Sequence, residues 1–196
     1  PQTIFLPGDL RSINRPENAP DLVFDKPPLD QVGQWRATTG YCLYKGVNTE
    51  YAQQEAAGWM GSIIFRYAEA LLIYAESVAE LGTISQVDID KTVNRLRDRV
   101  GMIHLDLNNI TTDPDWDYPG LTPIINEIRR ERRIELAFED VRWDDVARWR
   151  AHDLIVNKRL KGVKYIGSNL EGTYFAIDGS GDPSLIIGEN LFVDEN

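Results

Sequence analysis

The sequence is poorest in the residues from which metal centres, redox pairs and nucleophilic sites are built. Of its 196 residues one is cysteine, Cys42, and two are histidine, His104 and His152. A lone thiol can close no internal disulfide and hold no metal cluster, and it fits a reducing or an oxidising compartment equally well. The histidines are isolated, with no cysteine or second histidine at ligand spacing, so no metal and no cofactor are expected. There is no G-x-G-x-x-G, no phosphate loop and no nucleophile elbow. Positive charge is in deficit: 21 Lys and Arg against 31 Asp and Glu leave a net charge of −10. That balance disfavours nucleic acid and anionic membrane surfaces as main partners. No apolar run approaches the ~18–20 residues that cross a bilayer. The opening PQTIFLPGDL lacks the basic region of a signal peptide.

What is present is ordinary globular material, 42% apolar and 27% charged, in a length that fits one domain or one plus a fragment. Residues 1–61 are loop-rich, with Pro1, Pro7, Pro16, Pro20, Pro27 and Pro28; short extended pieces are expected around Gln34–Ala37 and Gly40–Tyr44. Residues 62–82 read as an amphipathic helix. Ile64, Tyr67, Ala68, Leu71, Ala75, Val78 and Ala79 form one stripe, and Gly82 supplies a left-handed C-terminal stop. Ser85 and Asp88 form a capping box for a second helix over 85–101, with Ile89, Val93, Leu96 and Val100 as its stripe and Gly101 as its end. Two such helices joined by a short loop pack antiparallel. Residues 102–121 read as a loop. Thr122 and Pro123 then start a third helix that runs through Ile124, Ile125, Ile128, Ile134 and Phe138. A further helical stretch after Asp140 carries Trp143, Val146, Ala147 and Trp149, and both tryptophans fall on apolar helical positions that predict core. Glycines punctuate 161–196, consistent with a few strands or an irregular tail. The fold class this predicts is mostly α.

The third helix carries the densest charge. Glu127, Glu131, Glu135 and Glu139 follow one another at i,i+4 spacing, which repels by a few tenths of a kcal/mol per pair in isolation. Cations must therefore stand beside them, and Arg130, Arg132 and Arg142 lie within reach in sequence. One reading is a pair of catalytic carboxylates of the glycosidase kind, drawn from Glu131, Glu135 and Glu139. The other is a structural ion-pair network of Glu131, Arg132, Glu135, Glu139 and Arg142, favoured because every acid here has an arginine nearby. Asp178, Asp182 and Glu189 mimic the ligand spacing of a calcium loop, but Pro183 stands where such a loop needs glycine, so a solvated turn is expected.

Three blocks resemble the SusD/RagB family: Arg66 to Glu76 (RYAEALLIYAE), Asn94 to Gly101 (NRLRDRVG), and Ile128 to Trp149 (IRRERRIELAFEDVRWDDVARW). They occur in that family's order, with loops of suitable length between them. The resemblance implies tetratricopeptide-like helical pairs with loop-rich and short-strand peripheral segments. It also implies a non-catalytic lipoprotein of the bacterial outer membrane that binds a glycan or peptide and caps a SusC-like TonB-dependent transporter. Asp140 stands where the family tends to have glycine, which implies a positive φ there. Family members are far longer and carry an N-terminal lipidated cysteine, a role Cys42 does not match, and an Asn-Pro-rich tail that is absent here. The resemblance therefore implies a C-terminal portion of one larger SusD-like domain, divided here into 1–61, a helical-repeat part at 62–160, and 161–196. The remainder of the same lipoprotein would then be a partner and carry the lipid anchor.

On this reading the family blocks make a frame and ligand contacts sit on loops. Aromatic faces stack on pyranose rings while amides and acids bond the hydroxyls. The stretch 108–118 fits best, with Asn108, Asn109, Asp115, Trp116 and Tyr118 as candidate ligand residues. An inward role for Trp116 and Tyr118, anchoring their own loop, fits as well. Trp35 with Arg36, and Trp59, are further candidates. A helical-repeat module holding a peptide on its concave face remains the alternative function.

Overall fold

The computed structural model describes residues 2–13, 19–27, 37, 39–54, 58–59, 61, 63–158, 162–164, 166–167, 186–187 and 190–191. Contacts divide them into two units, one drawn from Gln2–Met60 and Asn157–Asn196 and the other spanning Gly61–Val156.

In the first unit β1 (Leu10–Ser12) and β2 (Leu22–Val23) pair antiparallel, with Leu10 opposite Val23 and Ser12 opposite Leu22. Single bridges join Ile4 to Leu43 and Ile13 to Glu50, just before the one-turn helix α1 (Tyr51–Gln54). A second pair, β3 (Ile186–Ile187) and β4 (Asn190–Leu191), is also antiparallel. The buried Phe24 ring stacks on Phe5 at 5.1 Å, and Tyr44 meets Phe5 edge-on at 4.8 Å. The β1–β2 pairing was not foreseen, because strands of two or three residues are too short to show alternation. Of the extended pieces expected here, Leu43 contributes one bridge, and residues 34–36 lie outside the described residues.

The second unit is helical. Its first helix, α2 (Tyr67–Glu80), buries Ala68, Leu71, Ala75 and Ala79 of the expected stripe together with Leu72 and Glu76, while Tyr67 of that stripe is exposed. It begins later than expected. Arg66 is extended at φ −124° and ψ 146°, its guanidinium tied to Glu135 and Glu139. Ile63, Ile64 and Phe65 stay outside the helix and exposed. Gly82 takes φ +69° and closes the helix, the Gly82 N–H donating to Ala79 and the Thr83 N–H to Val78; only glycine adopts that conformation without strain.

Both halves of the Ser85–Asp88 capping box form at the start of α3 (Gln86–Lys91). The expected single helix over 85–101 is nonetheless two, for α4 (Val93–Asp98) starts after a break at Thr92, whose φ is −121° and ψ −89°. The Thr92 hydroxyl donates to the Asp88 carbonyl at 2.6 Å, the back-bonding that bends helices at buried Ser and Thr. Val100 lies beyond α4 and is exposed.

The third helix of the sequence is α5 (Pro123–Glu135), with Pro123 in its first turn. It stops short of Phe138, because Phe138 and Asp140 take left-handed φ of 63° and 60°. Asp140 thus has the positive φ expected of it, and Phe138 was not foreseen to share it. In α6 (Arg142–Arg148) Asp145 and Val146 face inward. Trp143 is 70% exposed and not core as expected. It stands two residues from Asp145, which places the two on opposite sides of a helix. α2 packs most extensively on α5 and also meets α3 and α4. Leu72, Ala75, Ile89, Val93 and Ile128, all at 0% exposure, form the centre. The fold is mostly α, built of paired helices with loop-rich and short-strand segments.

Candidate functional site

The charged face of α5 finds its partners mainly on other helices. Arg97 of α4, 7% exposed, donates through Nε to Glu131 at 2.7 Å and through Nη2 to Glu131 and to Glu127 at 3.1 Å. Arg130 closes the same cluster on Glu127 at 2.8 Å. Arg66 holds Glu135 at 2.8 Å and Glu139 at 2.7 Å, and Arg99 holds Glu135 at 2.5 Å. Arg132 turns away from the α5 glutamates and places Nε 2.8 Å from both oxygens of Asp145, with Glu69 at 3.7 Å. Arg148 joins Asp145 at 2.9 Å to Glu76 at 2.6 Å.

Arg142 departs from the expected network. Among the described residues it has no carboxylate partner, and its guanidinium lies 5.9 Å from the Trp149 ring. It also lies near enough to the Tyr118 hydroxyl to favour its ionised form, while burial, the larger effect, holds that phenol above its ordinary value.

Burial alone would push the Glu135 carboxyl up. The hydrogen bonds and charges of Arg66 and Arg99 outweigh it and leave Glu135 below its ordinary range. A carboxylate depressed in the folded state contributes stability above its unfolded pKa and loses it as pH falls through the folded value. Urea titrations of the wild type and Glu135→Gln are therefore expected to converge as pH drops below about 4.3, the ordinary glutamate value. A gap unchanged from neutral pH down to acid would contradict this pairing.

The loop of residues 102–121 is fastened to this frame at both ends by amide side chains. The Leu105 N–H donates to Asn94 Oδ1 at 2.6 Å, and Asn94 Nδ2 returns a bond to the Leu105 carbonyl at 3.1 Å. Gln86 Oε1 accepts from the Leu107 N–H at 2.8 Å. At the far end, Asn126 accepts from the Tyr118 N–H at 3.2 Å and donates to the Tyr118 carbonyl at 2.8 Å. Asn94, Gln86 and Asn126 were missed in the sequence. The available signal was an asparagine within the apolar stripe of its helix, for Asn94 and Asn126 are 1% and 4% exposed.

These fastenings decide where the candidate ligand residues point. Tyr118 is half-buried, its ring edge-on to Trp149 at 5.6 Å, and the Arg129 guanidinium lies 4.7 Å from the Tyr118 ring and 4.5 Å from that of Trp149. Trp116 is half-buried with its indole N–H covered and unpaired among the described residues. The Tyr118 ring is thus engaged by both Trp149 and Arg129. Asn108, Asn109 and Asp115 are exposed. Asn109 joins His104, Asp106, Thr111 and Arg130 around a cleft of about 440 Å³. Trp59 is 91% exposed in the other unit. Trp35, Arg36, Asp178, Asp182 and Glu189 lie outside the described residues.

A helical scaffold closed by internal ion pairs, with a loop fastened to it and polar groups left open, is the kind of molecule these elements define. The model of the SusD family matches residues 17–184, and the chain belongs to that family. It is 30% identical over 141 residues to SusD-like protein P2 of Formosa agariphila, an alignment covering 72% of this chain and 25% of that protein. A solved SusD-like carbohydrate binding protein from Bacteroides fragilis aligns at 31% identity and a TM-score of 0.44, over 67% of this chain and 23% of its own. The chain thus spans about a quarter of the length of the curated relative it matches.

Proposed function

We propose that this chain is part of a non-catalytic surface protein that binds an oligosaccharide and delivers it to a SusC-like TonB-dependent transporter in the outer membrane. Family membership supports the class of function, and lipid anchoring through another part of the same protein belongs to the same reading. Within it, residues 62–160 are the frame, and 1–61 and 161–196 are pieces of the same larger domain. The observation that carries the reading is the cleft beside the 102–121 loop. Amide, acid, hydroxyl, imidazole and guanidinium groups from Asn109, Asp106, Thr111, His104 and Arg130 converge there, the mixed donors and acceptors that sugar hydroxyls require. Asn108 and Asp115 are the neighbouring contacts. Trp116 and Tyr118 act by holding the loop in place.

The acids considered for hydrolysis support the absence of chemistry. Glu131, Glu135 and Glu139 are each held by arginine, and a proton donor for a glycosidic oxygen needs a raised pKa, whereas Glu135 has a lowered one.

Calorimetric titration of the 196-residue chain with a panel of polysaccharides tests the reading. At least one glycan is expected to bind, and Asn109→Ala is expected to weaken it roughly fivefold, the worth of one hydrogen bond of about 1 kcal/mol. Silence across the panel would remove the proposal, and full affinity in Asn109→Ala would remove the cleft from it.

A further inference from the structure

We propose that the turn between α5 and α6 is a second ligand site, built for a sugar that carries a carboxylate, a hexuronic acid residue. It rests on the glycan-binding reading above and adds the chemical class of ligand. The turn encloses a cavity of about 330 Å³, bounded by Arg132, Phe138, Asp140, Arg142 and Asp145.

The electrostatics of this cavity are unlike those of the frame. Of the six arginines on α5 and α6, Arg142 alone has no carboxylate within ion-pair distance among the described residues. Arg132 lines the cavity. It is 5% exposed, its Nε is committed to Asp145, and its Nη1 is buried without a hydrogen-bond partner among the described residues. A buried guanidinium nitrogen left unbonded costs more than one that finds an acceptor. Three arginines line this hollow: Arg133 is held by Asp117, Arg142 has no carboxylate partner among the described residues, and Arg132 has an unused donor. A carboxylate can serve the last two: it accepts from Arg142 and offers Arg132 Nη1 the acceptor it lacks among the described residues once that group turns toward it.

The other groups choose a sugar over a bare anion. Phe138 is 67% exposed and holds φ +63°, a conformation that a bulky side chain adopts only under strain. The strained turn leaves an exposed aromatic ring among the residues that line the cavity, and the apolar face of a pyranose stacks on such a ring. Asp145 is already balanced by Arg132 and Arg148. Asp140, the second acid on the wall, repels a naked anion but accepts from a hydroxyl. A hexuronate supplies the carboxylate, the hydroxyls and the apolar ring face together.

The test compares trigalacturonic acid with the neutral galactose trimer, titrated into the 196-residue chain at low salt. The acid is expected to bind at least about tenfold more tightly. Arg142→Gln is expected to abolish that preference. Phe138→Gly removes the ring and relieves the left-handed strain, so it should weaken the acid about tenfold while keeping or raising the thermal midpoint, which separates lost contact from lost folding. Equal affinity for the two trimers, or an acid preference that survives Arg142→Gln, overturns the proposal. If neutral glycans bind with sensitivity to Asn109→Ala and the acid binds no better, only this second site falls. If no glycan of either kind binds, both readings fall.

Discussion

Asp145→Ala is expected to lower the free energy of unfolding by about 3–5 kcal/mol, the usual result of stripping one partner from a buried ion pair. Asp145 is 1% exposed and receives Arg132 on both oxygens and Arg148 on one. Without it Arg148 still has Glu76 and a side chain 43% open to solvent. Arg132 has neither relief: its side chain is 6% exposed, and its remaining acid, Glu69, is 3.7 Å away. The penalty is the desolvation of a guanidinium left nearly alone, far more than one lost surface contact would cost. Urea unfolding followed by far-ultraviolet circular dichroism measures it. Asp145→Asn, which keeps one acceptor for Arg132 Nε, should fall between wild type and alanine. A loss below about 1 kcal/mol in the alanine variant, the level of an exposed pair, would show that the Arg132–Asp145 contact is dispensable.

Leu72→Ala should cost about 2–5 kcal/mol, the range for deleting a fully buried leucine side chain. Leu72 has 0% exposure and sits in the cluster that joins α2 to Ile89, Val93, Ile125 and Ile128. The lost transfer energy adds to that of a void which the surrounding α2, α4 and α5 backbones cannot collapse to fill. The midpoint of urea unfolding should fall with its slope unchanged. Ile134→Ala is a fitting control, because Ile134 shares the α5 sequence but is 49% exposed. Equal losses in the two variants would mean that the core has been placed wrongly.

Local signals were the legible ones. The Ser85–Asp88 capping box and the Gly82 stop depend on residues within one or two turns and both appear in the structure, as does most of the α2 stripe, whereas the positive φ at Asp140 came from the family resemblance. The long-range partners of the charged helix were not legible. The sequence placed Arg130, Arg132 and Arg142 beside the glutamates by spacing alone, yet among the described ion pairs it is Arg130 of the three that meets them. The decisive cations, Arg66, Arg97 and Arg99, come from the start of α2, from α4 and from just beyond it. Membership in a helical period says which face a residue occupies, and nothing about which helix will lie against that face. The same limit explains the aromatics. Trp116 and Tyr118 sit in a polar loop and look available, but Arg129 and Trp149, which cover Tyr118, stand 11 and 31 positions further along. Trp143 looks buried by its period and is exposed, because α6 turns an acid and not an aromatic toward the interior. The break at Thr92 was hidden for a different reason: a single buried hydroxyl redirects the backbone without disturbing the apolar spacing on either side.

Because Asn94 and Gln86 hold one end of the 102–121 loop and Asn126 and Arg129 the other, the cleft beside it is shaped before any guest arrives. Most of the conformational freedom such a loop would forfeit on association has already been surrendered during folding. A multi-hydroxyl guest can then be retained by few contacts, which suits the proposed glycan-binding role.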